Sequence, residues 1–339
     1  MARHRFFAAC LAAGAAVVAL ARCDDQHPTD PVLSRAQSIT SGSIHGRIAA
    51  LAHDSMRGRM TPSPELDRAA AYAVAAFRSF GLGPGPATGY LQSWPALGGT
   101  AANAIAVLPG AHPQLRSEYV LFVAHMDHIG TATNGWGCRA AGADSICNGA
   151  DDNASGAAAV IEIARAFAGL EPAPARSLLF LLVSGEEEGL LGSEYYVSQP
   201  AVPLAQTVAA VNLDMISRNA ADSLIVVGMQ ESSLGPLVTG LVATHPDLGL
   251  RPTGVPWPYG GSDHIPLGAA GVPTLFFYAG HHADYHQPSD VVELADAAKA
   301  ARIARLAFYL GLAVANGAAR PAWNQGRPPA RPATRLAPL

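Results

Sequence analysis

Six apolar runs, separated by helical stretches, restrict what this chain can fold into. The runs are NAIAVL, EYVLFVA, SLLFLLVS, TVAAVNL, SLIVVG and PTLFFYA. Between them lie stretches of helical character such as ASGAAAVIEIARAFAGL, SSLGPLVTGLVATH and LADAAKAARIARLAFYLGLAVANGA. A strand that is apolar on both sides must be covered on both faces, and strands that alternate with helices are typical of α/β proteins. We therefore expect an α/β sheet with helices packed against each of its faces.

The length and the local composition indicate one large domain with two short flanks. Half of the 339 residues are hydrophobic, which is enough to build a sizeable core. A helical lead-in, which includes ELDRAAAYAVAAFRSFGL, precedes the first apolar run. We place the domain at residues 41–318, after a linker at 22–40, and we expect the Pro- and Arg-rich tail at 319–339 to be disordered.

The N-terminus has the layout of a secretory signal peptide. MARHR is a short basic start, FFAACLAAGAAVVALA is apolar, and Ala19-Leu20-Ala21 fits cleavage between small residues. The apolar stretch is short for a membrane span. We expect removal of residues 1–21 and export, so that the protein is periplasmic or secreted. Cys23 leaves lipid anchoring as an alternative, although Arg22 before it is a poor fit to a lipoprotein signal.

The charge balance argues against one class of partner. Charged residues make up 14% of the chain, and its formal net charge is −4. Nucleic-acid-binding domains carry basic patches or stripes, and no cluster of basic residues stands out in this sequence. We therefore expect no nucleic-acid partner.

Two cysteines beyond the N-terminal region lie close together in the sequence. Cys138 and Cys147 are nine residues apart in a Gly-rich segment. In an oxidising compartment such a pair can form a local disulfide. A pair of metal ligands is the alternative, but no third or fourth cysteine joins them. We favour a structural disulfide.

Most of the apolar runs are followed at once by histidine or acidic residues. The positions are His125-Met126-Asp127-His128, Glu186-Glu187-Glu188, Asp214 and His286, together with Asp151-Asp152-Asn153 before a helix. In open α/β sheets, ligands bind at the edge formed by the carboxyl ends of the strands. A structural histidine, a helix N-cap or acids at a helix N-terminus would explain one position each, but not why all of them converge.

Carboxylates crowded at one edge repel one another unless cations lie among them. Histidine nitrogen with carboxylate oxygen is a ligand set suited to zinc. Two divalent ions would balance three ligand carboxylates and one free base, and two-metal sites occur in aminopeptidases and related hydrolases. The sequence therefore predicts a two-metal site at this edge of the sheet.

Five motifs in this order, HMD, GADDNASG, SGEEEGLLGS, NLDM and DYHQPSD, resemble those of the co-catalytic di-zinc aminopeptidase family. This is metallopeptidase family twenty-eight, which also includes glutaminyl cyclases, and the resemblance runs from about residue 44 to residue 315. It implies a three-layer α/β/α sandwich with a central mixed, mostly parallel twisted sheet, as in zinc exopeptidases. It also implies two Zn2+ ions, with cobalt or manganese as alternative metals.

The resemblance assigns the metal ligands residue by residue. His125 and Asp214 would bind one zinc, Glu187 and His286 the other, and Asp152 would bridge both. Each of these positions carries a residue of the expected type. No ligand of the family's set is therefore missing from this chain.

The same resemblance makes Glu186 the general base and Asp127 the carboxylate that orients the imidazole of His125. In an extended segment, residues i and i+2 project to the same face, which suits this role of Asp127. Glu188 is expected to be solvated. Further candidates are Tyr259 and Tyr285, which would stabilise an oxyanion or simply pack, and Ser262 and Asp263, which would support the ligands.

The implied function is that of an exported zinc-dependent aminopeptidase acting on peptides with a free N-terminus. A water that bridges the metals would lose a proton to Glu186, and the resulting metal-bridging hydroxide would attack the N-terminal peptide bond. Glu186 would then return the proton to the leaving amine. The preferred N-terminal residue and the oligomeric state stay open at this level.

Three related functions are alternatives. Di-zinc carboxypeptidases and deacylases share much of the ligand order but usually carry a lid domain between the later ligands, and here only 72 residues separate Asp214 from His286. Glutaminyl cyclases bind a single zinc, whereas both metal positions are complete in this sequence. A non-catalytic binding relative is disfavoured because Glu186 and all five ligands are present.

Overall fold

The computed structural model describes residues 30–135 and 137–326. The predicted signal peptide at residues 1–21, Cys23 and the tail beyond residue 326 lie outside the described residues. Within the described ranges, we find no helix that is both long and apolar enough to cross a membrane.

One mixed sheet forms the centre of the described structure. Its eight strands are β1 (Leu91–Ala96), β2 (Gly99–Leu108), β3 (Tyr119–His125), β4 (Ser177–Val183), β5 (Thr207–Leu213), β6 (Ser223–Val227), β7 (Arg251–Val255) and β8 (Thr274–Tyr278). Their order across the sheet is β1-β2-β4-β3-β5-β8-β6-β7. The central strands β4, β3, β5 and β8 run parallel, whereas the pairs β1–β2, β2–β4 and β6–β8 are antiparallel. The predicted mixed α/β sheet is confirmed.

The two strands at the edges of the sheet, β1 and β7, were not predicted. In β1 exposed and buried residues alternate, and Gln92 and Trp94 point inward. In β7, RPTGV, every residue keeps some exposure. An edge strand has one neighbour only and is incompletely covered, so it does not need the continuous apolar run that marks a central strand.

Helices cover the sheet on both sides. The α-helices among the described residues are α1 (Pro31–Gln37), α2 (Ser41–Leu51), α3 (Pro64–Ser79), α4 (Gly156–Ala168), α5 (Leu191–Ser198), α6 (Leu234–Thr244), α7 (His264–Ala269) and α8 (Ala297–Asn316). Local signals set several of their starts. Thr40 and Ser43 form a capping box at α2, Ser63 caps α3 just before a proline, and Asp296 caps α8.

Alternate residues of the central strands enter two separate cores. Phe122 of β3 packs against Phe167 of α4 in the larger core, which also takes in α2, α3 and α8. Val123, the next residue, enters the smaller core with Tyr196 of α5 and Leu267 of α7. Successive side chains of a strand point to opposite faces, so both faces of β3 are buried. This arrangement confirms the three-layer sandwich.

Parts of both predicted flanks pack on the domain. Helix α1 lies within the predicted linker at 22–40, and Ala36 and Ile39 are fully buried in the larger core. Within the tail, Trp323 is buried and the backbone N–H of Asn324 donates to the carbonyl of Glu231. Residues 319–326, which belong to the tail whose composition predicts disorder, therefore pack on the domain through the buried Trp323 and through backbone hydrogen bonds.

The predicted disulfide between Cys138 and Cys147 is confirmed, with a Cα–Cα distance of 5.8 Å. Cys147 is fully buried, and its backbone N–H donates to the carbonyl of Gly130 in the loop after β3. Two residues further on, Gly149 leads into the turn that carries Asp152. The disulfide therefore closes a short loop beside the predicted metal site.

Removal of this disulfide is expected to lower the free energy of unfolding. Closure of a nine-residue loop restricts the unfolded chain by about 2–3 kcal/mol. The measurement is urea denaturation of the wild type with and without a reductant, beside a variant with Cys138→Ser and Cys147→Ser. Both treatments should lower the midpoint to a similar degree, and an unchanged midpoint after reduction would contradict a stabilising role.

Candidate metal centre

The carboxyl edge of the parallel strands gathers the predicted site residues. His125 is the last residue of β3, Asp214 directly follows β5, and His286 lies in the loop after β8. Glu186 and Glu187 lie in the loop after β4, and Asp152 lies in an irregular turn, Ala150–Ser155, that leads into α4. The convergence expected from the sequence is thus present in the fold.

The first group of side chains is centred on His125. Its Nε2 lies 3.2 Å from Oδ1 of Asp214 and 3.3 Å from Oδ1 of Asp152. All three residues are buried. Their three candidate donor atoms lie within 4.8 Å of one another, which is the spacing that ligands of one metal ion require.

The second group lies on the other side of Asp152. Nε2 of His286 is 3.2 Å from Oδ2 of Asp152 and 3.0 Å from Oε2 of Glu187. Asp152 therefore presents one carboxylate oxygen to each group. Such a carboxylate, placed between two sets of donors, has the position that a ligand shared by two metals must have.

His128 also belongs to the second group, although no role was predicted for it from the sequence. Its Nδ1 lies 2.7 Å from Oε1 of Glu187, and its side chain is fully buried. The signal was present in the sequence, because His128 is the second histidine of the segment that follows β3. The resemblance assigned only His125 of that segment as a ligand.

The site strongly favours positive charge. Burial lowers the pKa of His125, but the charges of Asp214 and Glu186 outweigh it and hold that pKa well above its usual value. Burial acts in the same way on His286, but the Glu187 carboxylate and contacts with Asp152 raise the pKa of His286 to about 10. The metal-free protein thus keeps imidazolium groups among its carboxylates, where a cation is needed.

The side chains fit divalent metal. Histidine nitrogens and carboxylate oxygens are the donors that zinc takes in catalytic sites, and the two groups share Asp152. Nε2 of His286 has no well-formed hydrogen bond among the described residues although it is shielded from solvent. Such a buried nitrogen, facing two carboxylates, is satisfied by a bound cation.

Metal uptake is expected to release protons. Because the pKa values of His125 and His286 are raised, both imidazoles carry a proton at neutral pH, and a metal must displace it. About one to two protons should leave per protein at pH 7, so that metal affinity rises with pH. Calorimetric zinc titrations in two buffers of different ionisation enthalpy measure this number. A binding heat that is the same in both buffers would contradict the expectation.

Glu186 lies beside donors of both groups, close to His125 and Glu187. It is partly buried, and burial together with the charges of Glu187, Asp214 and Asp263 raises its pKa well above the usual value, against the opposing charge of His125. A carboxylate with a raised pKa holds a proton more readily, as a general base must do during a reaction. The predicted base therefore lies in a setting that suits this role.

Asp127 lies beside His125, at a distance longer than that of a hydrogen bond. Its Oδ1 is 3.7 Å from Nδ1 of His125. Thr61 donates to Oδ2 of Asp127 at 3.2 Å, and the backbone N–H of Glu186 donates to Oδ1 at 3.4 Å. Asp127 thus connects the loop after β3 with the loop that carries the predicted base.

The two residues expected to support the ligands are both buried beside them. Ser262 donates its hydroxyl to Oδ2 of Asp214 at 2.7 Å and accepts from the side chain of Asn212. Asp263 is fully buried, and its burial raises its pKa to about 7. Ser262 therefore fixes the orientation of the Asp214 carboxylate, leaving Oδ1 towards His125.

Of the remaining predicted residues, Tyr285 contacts the site directly. The ring of Tyr285 stacks on that of His286 at a centroid distance of 3.8 Å, and burial raises the pKa of Tyr285. Tyr259 and Tyr285 both pack against an aromatic cluster that includes Trp257 and Phe276. Glu188 is not solvated as expected, because both its carboxylate oxygens are shielded from solvent.

Arg59 binds the main chain of two loops of the site, although no role was predicted for it from the sequence. It is fully buried and donates to the backbone carbonyls of Met126, Asn148 and Gly149 at 2.8, 2.8 and 3.1 Å. Burial lowers the pKa of Arg59 to about 10, so the side chain stays charged at neutral pH. Arg59 thus joins the loop after β3 to the segment that leads to Asp152.

The carboxylate of Asp290 supports the main chain of Asp152, the aspartate that lies between the two donor groups. Its carboxylate accepts the backbone N–H groups of Asp151 and Asp152 at 3.0 to 3.1 Å. Burial and the charge of Asp151 raise the pKa of Asp290 to about 6. The loop after β8 therefore fixes the main chain of Asp152 in addition to supplying His286.

An α/β sheet with such a cluster of histidine and carboxylate donors at its carboxyl edge is typical of α/β proteins that bind metal ions there. The chain belongs to peptidase family M28, whose model matches residues 103–311. The resemblance inferred from the five sequence motifs is confirmed.

The relatives of the chain agree with this assignment. A leupeptin-inactivating enzyme of Streptomyces exfoliatus is 32% identical over 203 residues, which cover 58% of this chain and 39% of that protein. A probable leucine aminopeptidase of Arthroderma benhamiae is 30% identical over 212 residues, which cover 59% of this chain and 54% of that protein. The chain thus matches about two-fifths to just over half of the length of these curated relatives.

A solved structure supports the fold. The LapA aminopeptidase of Legionella pneumophila superimposes with a TM-score of 0.66 at 19% sequence identity, over 84% of this chain and 74% of that chain. At this level of identity the similarity shows that the two chains share their architecture, and the chemistry must be argued from the site.

Proposed function

We propose that the protein is an exported, zinc-dependent aminopeptidase that hydrolyses the N-terminal bond of peptides with a free amino terminus. The observation that carries this proposal is the position of Asp152 between two sets of donors, each with a histidine and a second carboxylate. Glu186 lies beside both sets with a raised pKa. This arrangement supports a two-metal hydrolase in which Glu186 binds neither metal and acts as the base.

His125, Asp152 and Asp214 would hold one divalent ion, and Asp152, Glu187 and His286 the other. Bound at these positions, the metals would polarise the scissile carbonyl and acidify a water molecule. Glu186 would accept the proton of the attacking water and return it to the leaving amine. Asp127 and Ser262 would keep the surrounding side chains in place through the contacts described above.

The name of a curated relative favours an aminopeptidase over the alternatives. The Arthroderma protein is called a probable leucine aminopeptidase. This name describes that protein, and it motivates the same assignment for this chain.

Two leucyl peptides of equal length test the proposal, one with a free amino terminus and one acetylated. Purified protein should release leucine from the free peptide alone, and a chelator should abolish the release until zinc is restored. Cleavage of the acetylated peptide would instead indicate a deacylase or endopeptidase. A glutaminyl peptide included in the same assay detects cyclisation, and cyclisation without leucine release would replace the proposed function with that of a cyclase.

Export is part of the proposal. It rests on the basic start, the apolar stretch and the Ala19-Leu20-Ala21 site, and it agrees with a disulfide, since disulfides persist mainly in oxidising compartments. Expression of the whole chain followed by N-terminal sequencing should find the mature protein beginning at Arg22. A lipid-modified Cys23 would show membrane anchoring, and an intact N-terminus would contradict export.

A further inference from the structure

His128 has a defined contact with the metal centre that the proposed mechanism does not use. Its Nδ1 lies 2.7 Å from Oε1 of Glu187, which is the distance of a hydrogen bond. Because an ionised carboxylate only accepts hydrogen bonds, the proton lies on Nδ1. The other oxygen of Glu187, Oε2, then faces Nε2 of His286 at 3.0 Å.

We propose that His128 is a positioning residue, whose Nδ1–H holds Oε1 of Glu187 and thereby directs Oε2 towards the subsite shared with Asp152 and His286. This inference rests on the metal centre proposed above. In this arrangement Oε1 of Glu187 contacts His128, and Oε2 of Glu187 faces His286. A hydrogen bond of this kind to a metal-binding side chain fixes its orientation and raises metal affinity.

The distances argue against His128 as a metal ligand. Donors around a tetrahedral zinc lie roughly 3.3 Å apart, and His286 keeps 3.2 Å to Asp152 and 3.0 Å to Glu187. Nδ1 of His128 is 2.7 Å from Oε1 of Glu187 but 3.7 Å from Oδ2 of Asp152. Nδ1 is therefore displaced towards Oε1 of Glu187, away from the other donors of the group. A fourth protein donor would also close a position that a catalytic metal keeps open for water or substrate.

The surroundings of His128 hold its ring in this orientation. A Cβ atom at Gly149 would lie 2.5 Å from Cγ of His128, so the ring packs directly on the main chain there. The ring also meets that of His286 edge to face, at a centroid distance of 5.5 Å. The backbone N–H of His128 donates to the carbonyl of Arg59 at 3.3 Å. The side chain is therefore fixed before any metal arrives.

Two substitutions separate a positioning role from ligation. Asparagine places its side-chain N–H close to where Nδ1 of histidine lies, so His128→Asn keeps the donor but offers a poor zinc ligand. His128→Ala removes the donor altogether. His245→Asn is the matched control, because His245 stacks on Tyr309 at the end of α6 and belongs to neither group of donors.

The experiment titrates metal-free protein with Zn2+ in competition with a chromophoric chelator, and records the visible absorption of the Co2+ form. His128→Ala should weaken one of the two bound metals by about 10–100-fold, while His128→Asn and His245→Asn stay within roughly threefold of the wild type. Thermal unfolding of the metal-free variants checks that all of them fold.

Each other outcome overturns the inference. Equal losses in His128→Asn and His128→Ala, with an altered cobalt spectrum in both, would make His128 a ligand. Unchanged affinity in His128→Ala would remove any role in metal binding. A wild type that binds no metal would refute the metal centre and the proposed function together, whereas wild-type binding with unaffected variants refutes the role of His128 alone.

Discussion

Glu186→Gln is expected to lower kcat for a leucyl peptide by about 10²–10⁴-fold, the range for loss of a general acid–base group. Glutamine keeps the size of the side chain but cannot accept the proton of the attacking water. The metals should stay bound, because the two donor groups around Asp152 are complete without Glu186. KM should change little, since the base acts in the transition state. Steady-state kinetics and metal analysis of the same preparation measure both quantities.

Glu171→Gln is the matched control for this variant. Glu171 is exposed and lies in the loop between α4 and β4, before the strand begins, whereas Glu186 lies in the loop after the strand ends. The control makes the same change of charge away from the site and should keep wild-type kinetics. A loss below about tenfold in Glu186→Gln would assign the proton transfer to another group.

Asp152→Asn is expected to remove most of the metal and, with it, the activity. The carboxylate presents one oxygen to His125 and the other to His286, and the amide has one oxygen and no charge. Contacts that merely orient a ligand are worth about 10–100-fold in metal affinity, so losing a shared ligand should cost more than about 100-fold. The protein should retain at most one equivalent of zinc after dialysis, against two for the wild type. Atomic emission spectroscopy measures this ratio.

Asp247→Asn controls for the loss of one negative charge. Asp247 is exposed in the short turn Pro246–Leu248, after α6. The Asp247→Asn variant should bind zinc as the wild type does. If Asp152→Asn also retained two equivalents, Asp152 would not be shared between the metals, and the two-metal assignment would have to be abandoned.

The strands that carry the site were predictable because their sequence is dictated by burial. The runs that became β3, β4 and β5 are buried at every position or nearly so, and strands buried on both faces consist mainly of apolar residues. The polar residues after them then had to lie at one edge, because the central strands are parallel. His125 and Asp214 could be placed by this reasoning alone.

Other contacts depended on residues that are distant in the sequence. Arg59 lies 67 residues before Met126, whose carbonyl it binds, and nothing near Arg59 in the sequence indicates that partner. The role of Asp290 in holding the main chain of Asp152 depends on a loop that is 138 residues away. Trp323 is buried although the segment around it is rich in proline and arginine.

The sequence by itself determined the α/β class, the edge at which the site lies and the residue types available there. These follow from periodicity, burial and the chemistry of carboxylates, all of which act locally along the chain. The resemblance predicted that Asp152 lies between the two donor groups. The tertiary structure alone decided that His128 contacts Glu187. It also decided that Asp127 lies beyond hydrogen-bond distance of His125. Side-chain distances of this kind are set by how loops pack on one another, and sequence spacing does not fix that packing.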